Sequence, residues 1–88
     1  MKPLNYAVLK YLTTVPEACA DDVINALRHE YGRFKALNEK DVLNALMTAK
    51  ANGLLEESRF EKAPSVGVRV YFRAHAEGAA TISRYIPD

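Results

Sequence analysis

The hydrophobic period of this chain shortens from about 3.6 residues to 2 once Gly53 is passed, and few folds accommodate that change within 88 residues. Leu4, Ala7, Val8, Tyr11 and Leu12 fall at i, i+3, i+4, i+7 and i+8, one apolar stripe of a helix expected over 3–13. Pro3 stands where its missing N–H costs nothing. Pro16 then disfavours helix at Val15, and Asp21 and Asp22 place negative charge in the first turn of a second helix over 18–31, where the helix dipole favours it. Thr14 with Glu17 fits a capping box, which leaves an earlier start open. Ala20, Val23, Ile24, Leu27 and Tyr31 repeat the helical spacing up to Gly32, a suitable terminator.

"GRFKAL" connects to a third helix over 39–52, with Phe34 and Leu37 to pin the turn and Asn38, three residues before Asp41, as N-cap. Helical stepping puts Val42, Leu43, Leu46 and Met47 on one face, and Lys40, Asp41, Asn44, Ala45, Thr48, Ala51 and Asn52 on the other. Beyond Gly53 the pattern is that of a hairpin over 54–74. "LLEESRF" reads as its first strand and "EKAPS" as its turn. In "VGVRVYFRA", Val66, Val68, Val70 and Phe72 alternate with Gly67, Arg69, Tyr71 and Arg73. A last helix over 76–86 places Ala79, Ile82 and Ile86 on one side, with His75 capping its start.

Helix, helix, helix, strand, strand, helix in one small domain is the order of an α+β winged helix-turn-helix: three helices, a two-stranded wing and a short C-terminal helix. "DVLNALMTAKANGLLEE" resembles the recognition helix, glycine stop and first wing strand of that superfamily, and "YFRAHAEGAATI" is similar to the segment that leaves the wing and starts a closing helix. The chain most resembles small bacterial regulators of the PadR and MarR type. That resemblance implies a transcriptional regulator that binds double-stranded DNA, with the third helix in the major groove and the wing on the backbone.

Charge is nearly balanced, with Lys plus Arg 12 against Asp plus Glu 11, so any basic footprint must come from uneven placement. The outward face of the third helix offers Asn44 for an adenine edge, Thr48 for a thymine methyl or phosphate, and Lys40 for a phosphate. Asp41 opposes this, and a merely solvated helix face explains the same residues. Arg59 and Lys62 are expected to flank the wing tip, with Arg69 and Arg73 on one strand face around Tyr71, a phosphate-contacting strip. Glu56, Glu57 and Glu61 lie near enough to neutralise part of it, and charged hairpin edges also serve solubility. Arg28, Arg33 and Lys35 bracket the turn into the third helix.

A different class of function, a winged-helix module that docks a protein without binding DNA, is favoured by the small net charge and Asp41. Tyr6, Leu9, Ile82, Tyr85 and Ile86 are candidates for a homodimer contact, or for completing the monomer's own core. Enzyme chemistry finds no support: His29 and His75 are far apart and lie in no nucleophile or metal motif, and the glycines form no phosphate loop. No cofactor or metal is expected. Cys19, at a helix start, is either a packed side chain or a thiol activated by the helix dipole. A single cysteine and no long apolar stretch lead to an expected cytoplasmic setting without membrane insertion.

Overall fold

The computed structural model describes residues 1–65 and 67–88; Val66, placed above on one strand face with Val68, Val70 and Phe72, lies outside the described residues. Helix α1 (Leu4–Leu12) buries Leu4, Ala7, Val8 and Leu12. Pro3 caps it from outside, its carbonyl accepting the Ala7 N–H at 3.0 Å. The helix ends where the Thr13 and Thr14 hydroxyls donate back to the Lys10 and Tyr11 carbonyls at 2.6 and 2.7 Å. Thr14 is therefore committed to α1, and the Thr14–Glu17 capping box does not form; Glu17 is used elsewhere.

Helix α2 (Ala20–Tyr31) begins two residues after the expected start at Ala18. The reason is tertiary: Ala18 and Phe72 exchange both backbone hydrogen bonds, each 2.9 Å, so Ala18 is extended and adds a single bridge to the hairpin. Cys19 then caps α2, its N–H donating to the Asp22 carboxylate at 3.1 Å. At the far end the Tyr31 hydroxyl donates to the Lys2 carbonyl at 2.6 Å, tying α2 to the chain entering α1.

Helix α3 (Glu39–Ala51) starts at Asn38, whose side chain accepts the Asp41 N–H at 2.9 Å. It stops as Gly53 takes φ +79°, a left-handed conformation that other residues adopt only at a cost. Its buried face is Val42, Leu46 and Ala49 with Leu43 partly covered. Met47, assigned above to the core face, is instead 41% exposed, because the packing centres on the Val42–Leu46–Ala49 line and leaves Met47 beyond its edge.

Strands β1 (Glu56–Ala63) and β2 (Gly67–Arg73) form an antiparallel hairpin. β1 is longer than expected: Glu61, Lys62 and Ala63 belong to the strand, and the turn is confined to residues around Pro64 and Ser65. Phe72 is fully buried and Val70 packs on the core, but Val68 is 57% exposed; the apolar strand face runs past the edge of the helices toward the tip. Helix α4 (Ala76–Tyr85) follows, capped by His75, whose Nδ1 accepts the Gly78 N–H at 3.0 Å while Nε2 lies 3.0 Å from the Gly53 carbonyl. Only neutral imidazole makes both bonds, with Nε2–H as donor. Ile82 and Ile86 enter the core beside Leu4, Val8, Leu12 and Leu55.

The result is an α+β domain of four helices and one two-stranded antiparallel hairpin, a layout compatible with a winged helix. Among the described residues, no helix is long and apolar enough to cross a membrane.

Candidate nucleic-acid interface

The hairpin's two faces decide where its charges go. Cross-strand pairing sets Glu61 opposite Arg69 and Glu56 opposite Arg73, while Arg59, opposite Tyr71, meets Glu61 on its own strand, so each arginine of the expected strip has a carboxylate partner. Arg59 is in mid-strand, not at the tip. Its Nε donates to Glu17 at 2.7 Å, a second guanidinium nitrogen donates to Glu61, and the guanidinium carbon lies 3.8 Å from the Tyr71 ring centroid. Arg69 lies 3.5 Å from Asp21 and 3.8 Å from Glu61, and Arg73 pairs with Glu56. The arginines of the expected phosphate-binding strip are thus engaged in ion pairs: Arg59–Glu17 and Arg69–Asp21 staple the wing to the α1–α2 connection and the start of α2, and Arg73–Glu56 closes the base of the hairpin.

Glu17 is central to that staple. A β-bulge between Glu57 and Arg59 leaves Ser58 without a ladder partner, and its hydroxyl donates to Glu17 at 2.7 Å. Hydrogen bonds from Ser58 and Arg59 hold the Glu17 carboxyl below its ordinary range, and Arg59 does the same for Glu61. The positions are 41 and 42 residues apart, so no local pattern announces the contact.

Lys62 is placed differently. It pairs with Val68, on the hairpin face that also carries Phe60 and Val70, and Val68 and Val70 line a cleft with Leu43 and Glu39 of α3. Lys62 therefore shares a hairpin face with Val68 and Val70, near the wing tip, and is exposed and in no ion pair among the described residues. Arg28, Arg33 and Lys35 are likewise exposed and unpaired near the turn into α3, as is Lys40 in its first turn. Glu39 and Asp41 share that first turn and offset part of this charge.

Along α3, Lys40, Asn44, Met47 and Ala51 form the ridge opposite Val42, Leu46 and Ala49. Thr48 and Asp41 lie to one side, where with Asn44 they border a groove against α1. Leu43 and Lys50 lie on the other, and Lys50 pairs with Glu57 at 2.7 Å. Exposed apolar side chains on α3 and the wing escape a reading by composition: Met47, Phe60 (62% exposed) and Val68 all face solvent, and Val68 also lines the α3–wing cleft. The alternation of Phe60 with its charged neighbours marks it as a strand residue, but not as one left uncovered.

Of the five residues considered for a dimer contact or for the monomer's own core, Ile82 and Ile86 are buried in that core. Leu9 is half-buried, and Tyr6 and Tyr85 are exposed. Cys19 is buried, and that burial pushes its thiol up from the ordinary value, the opposite of an activated thiolate. Comparison with protein-family models, with curated proteins and with solved structures returns no match for this chain.

Proposed function

We propose that this is a winged helix-turn-helix domain of a transcriptional regulator that binds double-stranded DNA, with α2, the turn and α3 as the helix-turn-helix. The observation that carries this reading is the segregation of cations. Arg59, Arg69 and Arg73 are spent on carboxylates, whereas Arg33, Lys35 and Lys40 around the start of α3 and Lys62 on the wing are exposed and unpaired among the described residues. Three of them precede or open α3 and the fourth stands on the wing, an arrangement in which phosphates flank a helix lying in the major groove. Asn44, mid-ridge, reads a base edge. The resemblance to PadR- and MarR-type regulators points the same way.

The test is charge reversal in two groups. Lys40→Glu and Lys62→Glu each weaken binding to a duplex of any sequence, while Arg73→Gln, which removes a cation already paired with Glu56, changes it little. Asn44→Ala costs about 1–3 kcal/mol on a preferred sequence and little on others. Unchanged duplex affinity in folded Lys40→Glu and Lys62→Glu proteins refutes the assignment. A protein-docking module is the second reading, and the exposure of Met47, Phe60 and Val68 is what favours it, since aromatic residues and Met are enriched at protein interfaces.

A further inference from the structure

Between α1 and α3 lies an open groove of about 430 Å³, within the range of small-molecule sites. Its floor is apolar, formed by Val8, Leu9 and Leu54, and its α3 wall is polar, with Asn44, Thr48 and Asp41. Among the described residues no lysine, arginine or histidine lines it, and the formal charge at its wall is the Asp41 carboxylate. One oxygen of that carboxylate accepts from the Asn38 side-chain amide at 2.9 Å, which fixes its orientation. Asp41 has no ion-pair partner among the described residues. An apolar floor with a single oriented carboxylate at its wall, in no ion pair among the described residues, selects by charge against anions and by shape for a compact apolar body.

We infer that this groove is a binding site for a small organic monocation, an aryl- or alkylammonium whose ammonium group donates to Asp41 and whose apolar body covers Leu9 and Leu54. Asn44 and Thr48 supply additional hydrogen-bonding groups along the same wall. Binding of the cation does not depend on the DNA reading. Interference with DNA does rest on it, because the occupied groove covers Asn44 and Thr48.

The experiment uses the isotope-labelled full chain without DNA, titrated at constant ionic strength with benzylammonium, benzyl alcohol or benzoate and followed by amide chemical shifts. Benzylammonium is expected to shift the Asp41 backbone and the Asn44 and Asn52 side-chain amides saturably, with affinity about fivefold above benzyl alcohol, the value of one exposed ion pair. Benzoate is expected to be the weakest of the three. Asp41→Asn abolishes the preference for the cation while leaving benzyl alcohol unchanged, and Ala45→Leu, which fills the groove from α3, weakens every probe. Equal affinity for all three probes, perturbations centred away from the groove, or a cation preference that survives Asp41→Asn overturns the proposal. Duplex binding measured on the same protein is a separate readout, so failure of the DNA reading is not mistaken for failure of the site.

Discussion

Gly78→Ala tests the packing of α4 because two physical effects predict opposite signs. Alanine in a helix interior is favoured over glycine by about 1 kcal/mol, so propensity alone makes the variant more stable. The structure opposes this. A Cβ at position 78 would lie 2.8 Å from the carbonyl carbon of Leu54 and closer still to its oxygen, against about 3.4 Å for ordinary contact. Both atoms are backbone, on the segment held by the left-handed Gly53, so no side-chain rotation relieves the clash. Helix α4 must move outward, drawing Ile82 and Ile86 from the core and lengthening the Gly78 N–H bond to His75. Overpacking costs about 1–3 kcal/mol or more, and loss of a helix cap about 1 kcal/mol. Set against the propensity gain, the net destabilisation is about 1–3 kcal/mol, and at roughly 4–8 °C per kcal/mol the melting temperature falls by about 4–24 °C. Urea and thermal unfolding followed by circular dichroism measure it. A variant as stable as the parent, or more so, refutes the close approach of α4 to Leu54.

Gly53→Ala presents the complementary case. Nothing lies within 4 Å of its would-be Cβ, so the expected loss, about 1–2 kcal/mol by urea unfolding, comes from the left-handed backbone alone. Arg59→Met removes the cation that helps hold Glu17 and Glu61 below the ordinary carboxylate range. Carboxyls depressed in the folded state contribute stability above their unfolded value and lose it as pH falls through the folded value. Wild-type protein should therefore lose stability on acidification below about pH 4.3 more steeply than Arg59→Met, as a pH series of unfolding midpoints will show. An equal acid slope in both proteins would remove the wing staple from the account.

Local signals carry much of the architecture and little of the site. The stripes of α1 and α2, the Asn38 cap, the Gly53 stop and the alternation ending at Phe72 are each written within a few residues, because helical and strand periods act over that range. The features that escape such reading are long-range. Ala18 is extended because Phe72 pairs with it, which delays α2. Met47 is exposed because the core line passes through Ala49. The wing arginines look like a phosphate strip only until Glu17 and Asp21 are brought to them from the first quarter of the chain. Charge counted along a sequence includes cations already neutralised in three dimensions; Lys40 and Lys62 acquire weight by remaining unpaired, which only the fold reveals.

The most direct test of the proposed DNA contact is fluorescence anisotropy of a generic labelled duplex titrated with the full chain across a salt series. With Arg33, Lys35, Lys40 and Lys62 each neutralising one phosphate, the logarithm of affinity should fall against the logarithm of salt with a slope near −3.6 per protomer, about 0.9 for each contact. Lys62→Glu should flatten that slope by about 1. A folded protein that binds no duplex at low salt, or binds with a slope near zero, contradicts the account and transfers the weight to the exposed Met47, Phe60 and Val68 as contacts for protein.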